Sequence, residues 1–126
     1  MTKFQATIKE FNEAVEELDR ALQKPKDEFM RDSSIKRFEL AFDLSWKTIK
    51  AYLEDMGVFC TSPVGCFKEA YRQGLIEFDE QWIGLTKTRN KTVHTYDEKL
   101  AEEVYAELPE ALKSFQSLRG VFAKTE

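Results

Sequence analysis

Arg89-Asn90-Lys91-Thr92-Val93-His94-Thr95-Tyr96 is the stretch on which the fold and the chemistry of this chain both turn. It holds the only histidine in 126 residues. Across residues 84–96 there are Lys87, Arg89 and Lys91 and no acid, and Asp79-Glu80 and Asp97-Glu98 close the interval on either side. On an uninterrupted helix, five residues rotate a side chain by about 140°, so Arg89 and His94 would point apart. The residues between them predict an interruption. Asn90, Thr92 and Val93 are mediocre helix formers, and Thr95-x-x-Glu98 has the capping-box pattern. One helix is therefore expected to end near Asn90 and another to begin near Thr95, with Arg89, His94 and Tyr96 gathered at the corner.

Such a corner suits an anion. The first N–H groups of a helix lack intrahelical partners, and Arg89 and Lys91 add charge beside them. Arg89 offers a planar fork matched to phosphate oxygens, and His94 is a side chain able to accept a proton near neutral pH.

Outward from the corner the chain reads as helices. Towards the N-terminus, residues 79–90 are expected to be helical with Trp82, Ile83, Leu85 and Thr86 inward. Ahead of them Thr61-Ser62-Pro63 places a cap residue before a proline at the first helical position. Cys66, Phe67, Ala70 and Tyr71 then form a short apolar face ended by Gly74, with Leu75, Ile76 and Phe78 beneath it. A longer helix is expected from within residues 26–33 to about Met56, with Gly57 as its C-terminal cap. Phe38, Phe42, Ile49, Leu53 and Met56 follow one stripe of it, while Leu40, Leu44, Trp46 and Ala51 lie off that stripe. Such a helix is either central or shares a face with a partner subunit. Residues 2–23 carry Phe4, Ile8, Phe11, Val15, Leu18 and Leu22 in steps of four and three, one amphipathic face, stopped by Pro25. Beyond the corner, Leu100, Val104, Leu108, Leu112, Phe115, Leu118 and Phe122 continue a stripe in which Pro109 predicts a kink or a short break.

Composition agrees. Hydrophobic residues make up 42% and include ten Phe, so core material is ample, whereas five Gly and three Pro are too few for the turns of an all-β protein. A single domain spanning residues 1–126 is expected: an all-α, antiparallel up-and-down helical bundle of four long helices and a short connecting one. The net charge of −4 and pI near 5.2 argue against a general nucleic-acid coat protein, but leave room for a small local site. Cys60 and Cys66 stand in a C-x5-C spacing; with one histidine they cannot complete a four-ligand zinc site. A disulfide is open to them, yet no signal peptide and no long apolar run is evident. The expectation is a reducing, cytoplasmic setting, two ordinary thiols, no membrane association, no metal and no cofactor.

Arg89-Asn90-x-x-x-His94-x-Tyr96 resembles the R-x4-H-x-Y signature of HEPN-domain proteins. Phe38-Glu39-Leu40-Ala41-Phe42-Asp43-Leu44-Ser45-Trp46-Lys47-Thr48-Ile49-Lys50 is similar to the second helix of nucleotidyltransferase substrate-binding proteins. The Ser62-Pro63 start, Glu69-Ala70-Tyr71-Arg72-x-Gly74-Leu75-Ile76 and His94-Thr95-Tyr96-Asp97-Glu98 resemble the same family, in order, across residues 35 to 98. The resemblance implies a homodimeric bundle partnered by a minimal nucleotidyltransferase (MNT). In many such pairs the HEPN member is a metal-independent ribonuclease toxin and the MNT member its antitoxin. The family's catalytic arginine and histidine fall on Arg89 and His94, and the tyrosine that receives AMP in related pairs falls on Tyr96. The alternative is a non-catalytic subunit that presents substrate, RNA or a nucleotide, to the nucleotidyltransferase or regulates it.

Taken alone, a histidine beside a helix start is more often structural than catalytic. Lys87 and Lys91 read first as solvated charges and second as phosphate contacts. Asn90 either ends its helix or supports Arg89 or His94.

Overall fold

The computed structural model describes residues 1–125. Among them are five α-helices and one 3-10 turn: α1 (Lys3–Gln23), α2 (Glu28–Asp55), α3 (Pro63–Arg72), α4 (Glu80–Lys91), the turn Thr92–His94, and α5 (Glu98–Thr125). Three helices are long, of 21, 28 and 28 residues. The helix expected over residues 79–90 is α4, shorter at 12 residues, and the expected short connecting helix is α3, of 10 residues.

Local chemistry sets the ends. Thr2 and Gln5 form a reciprocal capping box at α1. Asp27 caps α2 by accepting the N–H of Met30 at 2.7 Å, and Ser62 caps α3, which has Pro63 in its first turn. After α2 and α3 the chain leaves through Gly57 and Gly74, both at positive φ, a conformation glycine adopts without a Cβ clash. Pro109 lies inside α5, which runs on through it without a break.

Ion pairs and ring contacts give the helix directions. Lys3 meets Glu54 and Glu17 meets Arg37, so α1 and α2 are antiparallel. Arg31 meets Glu98, Phe38 meets Phe115 and Tyr52 meets Phe122, so α2 and α5 are parallel. Trp82 meets Phe115 and Lys91 meets Glu107, so α4 runs against α5. The result is an up-and-down bundle of α1, α2, α4 and α5, with α3 packed against α2 and α4.

The core is an aromatic column. Fully buried Phe115 touches Phe11 of α1, Phe38 of α2 and Trp82 of α4, with ring centroids 6.2, 6.0 and 5.9 Å away. Trp82 stacks on Phe67 at 5.1 Å, and Phe67 in turn meets Phe42. Through this column α4, which carries Arg89, is fixed to the rest of the bundle.

α2 is the central helix, packed against α1, α3, α4 and α5. Leu40, off its main stripe, is 55% exposed. Met56, expected on the buried stripe, is half exposed because it already belongs to the C-cap. Phe78 is likewise exposed, whereas Leu75 and Ile76 are buried. Cys60 and Cys66 are joined as a disulfide, which corrects the expectation of two thiols. The segment before α3 folds back so that Cys60 meets the first turn of that helix, with the Cα atoms 5.1 Å apart. Among the described residues no helix is long and apolar enough to cross a membrane.

Candidate functional site

The corner between α4 and α5 bends as expected, but its internal bonding differs. α4 continues to Lys91 before the 3-10 turn Thr92–His94 begins. The Thr92 hydroxyl donates to the Arg89 carbonyl at 2.7 Å, and the Thr95 hydroxyl donates to the Thr92 carbonyl at 2.9 Å. Thr95 is thus spent on the preceding turn and does not cap α5. Asp97 does: its Oδ1 accepts the N–H groups of Lys99 and Leu100 at 2.9 and 3.3 Å. An aspartate so placed competes well for orphan N–H groups. Those N–H groups were expected to be open to an external anion; here the protein's own carboxylate takes them.

A clasp beneath the corner was not foreseen. Arg31, buried on α2, donates to both oxygens of Glu98 at 2.6 and 3.2 Å, to Glu102 at 3.2 Å and to Asp32 at 3.0 Å. Lys26 also pairs with Glu102. Nothing in the local pattern distinguishes Arg31 from a solvated charge; its partners on α5 lie more than 60 residues away in the chain. The Arg31 hydrogen bond holds the Glu98 carboxyl below its ordinary range, and Lys26 first and then Arg31 do the same for Glu102. Carboxyls with lowered folded pKa values add stability above their unfolded value of about 4.3, and that stability is lost as pH falls through the folded values. Acid melting is therefore expected to steepen below about pH 4. In Glu98→Gln the melting temperature should depend less on pH in that window; unaltered dependence would exclude Glu98 from the clasp.

Arg89 lies in the last turn of α4, three-quarters buried at its side chain, which is 25% exposed. Its Nε donates to Asp43 Oδ1 at 3.4 Å, its Nη1 donates to the Thr92 hydroxyl at 3.1 Å, and Glu39 stands 3.9 Å from Nη1. Nη2 makes no hydrogen bond among the described residues. Lys91 pairs with Glu107 of α5 at 3.2 Å. The acid-free interval of the sequence is thus supplied with acids by the helices packed against it. Asn90 is exposed, and its side chain makes no hydrogen bond to Arg89 or His94; the supporting contacts come from Thr92, Asp43 and Glu39.

Arg89 lines a groove of about 530 Å³ along α2, with Ser33, Lys36, Arg37, Glu39, Leu40 and Asp43. Tyr96 and Thr95 line an adjoining one of about 270 Å³ with Asp32, Ile35, Lys36 and Glu39. Lys36 and Glu39 are common to both, so Arg89 and Tyr96 open onto one side of α2. His94 is exposed and lines neither groove, but its ring meets Tyr96 edge-on at 6.1 Å. Tyr96 itself is 83% exposed. No hydrogen bond joins Arg89 to His94 among the described residues. Within one chain the guanidinium and imidazole are neighbours of the same corner rather than partners.

An up-and-down bundle with R-x4-H-x-Y at the bend before its last helix defines the HEPN-like class of all-α proteins. The family model described as "Nucleotidyltransferase substrate binding protein like" matches residues 1–122, and the chain belongs to that family. A Haemophilus influenzae protein named "Probable ribonuclease HepT" is 34% identical over 85 residues. The match covers 63% of this chain and 58% of that protein, less than two thirds of its length. A crystal structure of a Thermus thermophilus protein superposes with a TM-score of 0.81 at 32% identity, covering 87% of this chain and 96% of that one. A Haemophilus influenzae structure described as revealing the fold of a substrate binding domain of a nucleotidyltransferase superposes at 0.66, with 26% identity and coverage of 93% and 94%.

Proposed function

We propose that this chain is a metal-independent endoribonuclease of the HEPN type, the toxin of a pair whose antitoxin is an MNT nucleotidyltransferase. One observation carries the proposal. Arg89 is held at Nε and Nη1, its Nη2 makes no hydrogen bond among the described residues, and it lines a groove adjoining that of Tyr96, whose ring meets His94. The relative named a probable ribonuclease supports the same reading.

Cleavage of RNA needs a base to take the 2′-hydroxyl proton, cations for the phosphorane and an acid for the departing 5′-oxygen. Arg89 supplies the cation and His94 a proton-transfer group. With a single histidine per chain, acid and base can both be imidazoles only if two copies face each other. A homodimer pairing two corners around a two-fold axis provides that arrangement. Adding AMP to Tyr96 would place bulk and negative charge where the RNA phosphate must lie, which silences the site.

A second reading, a non-catalytic subunit that holds RNA or a nucleotide for the nucleotidyltransferase, has its own support: Glu39 and Asp43 already compensate the charge of Arg89. Incubation with single-stranded RNA separates the two, since cleavage by the wild type favours the enzyme and binding without cleavage favours the subunit. For regulation, incubation with the MNT partner and ATP is expected to add the mass of AMP, and Tyr96→Phe to abolish it. A label mapped by mass spectrometry to another residue would overturn the role given to Tyr96.

A further inference from the structure

Arg89 is held at the groove by α2, a helix separate from the corner. Asp43 and Glu39 lie one turn apart on α2 and face the same side of it. Asp43 reaches Nε at 3.4 Å, the distance of a long hydrogen bond, whereas Glu39 at 3.9 Å from Nη1 is an ion pair without one. Thr92 takes Nη1 from within the corner. Nε and Nη1 are therefore each held, on different sides of the guanidinium, and Nη2 makes no hydrogen bond among the described residues. Glu39 also lines both halves of the groove, between Arg89 and Tyr96.

We propose that Asp43 and Glu39 are positioning residues for Arg89: Asp43 fixes the plane of the guanidinium so that its Nη2 N–H groups meet an RNA phosphate, and Glu39, beside Nη1, balances the charge until substrate displaces it. The inference rests on the nuclease reading of the site. Nη2 carries two N–H groups in the plane of the guanidinium, so a rotation about the long axis of the group turns them away from the phosphate. Asp43 opposes that rotation by holding Nε. Glu39 has no hydrogen bond to Arg89 to break, and its carboxylate can turn to water as phosphate oxygens arrive. Lys36, 3.8 Å from Glu39, offers it a second cation on the same helix.

The decisive experiment is a double-mutant cycle on cleavage of a single-stranded oligoribonucleotide, with folding checked by circular dichroism. Asp43→Asn is expected to lower kcat/KM by about tenfold to a hundredfold, mostly in kcat, because a misplaced catalytic group is costly. Asp43→Glu should restore part of that loss. In an Arg89→Ala background Asp43→Asn should cost nothing further. Glu39→Gln should lower KM several-fold, since a competing anion is gone. Equal, additive losses from Asp43→Asn in both backgrounds would overturn the proposal. A second arm needs no substrate: the Arg89 Nε–H resonance of the 15N-labelled protein is expected to shift and exchange faster in Asp43→Asn. An unmoved resonance would overturn the proposal too. Should Arg89→Ala cleave as well as the wild type, the nuclease reading falls by itself, and the resonance alone decides whether Asp43 orients the guanidinium.

Discussion

Alanine at His94 is expected to lower RNA cleavage by about 10²- to 10⁴-fold, the usual contribution of a positioned acid or base, with little change in melting temperature. The two halves of this expectation come from different observations. His94 is exposed, and its ring meets that of Tyr96 edge-on. Removing a side chain of that kind typically shifts stability by no more than about 0.5 kcal/mol. The chain has no second imidazole to replace it. Initial rates on an oligoribonucleotide, set beside thermal melts of the same preparations, check both halves. A variant that cleaves at the full rate would remove His94 from the chemistry, and a variant that fails to fold would show its role to be structural.

Phe115→Ala is expected to destabilise the bundle by about 3–5 kcal/mol, the range for emptying a large aromatic site in a core. Phe115 is fully buried and meets rings from α1, α2 and α4. No single one of these helices can close the cavity without losing its contacts to the others, so little relaxation is available. The loss also reaches the candidate site, because Trp82 loses one of its two ring partners and Trp82 seats the helix that ends in Arg89. Urea titration followed by tryptophan fluorescence measures the stability; a midpoint within error of the wild type would contradict the aromatic column as the organising core.

What the sequence made legible was local. The apolar steps of α1, the Ser62-Pro63 start of α3 and the two glycine exits depend on residues within a turn of one another, and each lies where its pattern placed it. The corner was legible for the same reason: poor helix formers between Arg89 and His94 gave the bend. The bonding inside the corner was not. Thr95-x-x-Glu98 matches a capping box, but Thr92 drew the Thr95 hydroxyl backwards and left the cap to Asp97. The charge around Arg89 was misread because Glu39 and Asp43 stand about 50 residues away, and sequence charge windows see only neighbours along the chain. Arg31 and the Cys60–Cys66 pairing escaped for a related reason, since both depend on how segments fold against one another. Leu40 lay off the buried stripe of α2 and is exposed.

The central claim is that Arg89 and His94 serve one reaction on RNA. It is tested most directly by incubating a labelled single-stranded oligoribonucleotide, with a metal chelator present, with the wild type, Arg89→Ala and His94→Ala at equal concentrations of folded protein. Cleavage by the wild type is expected, with a residual rate on the order of a hundredfold lower or less in either variant. Equal cleavage by all three would contradict it.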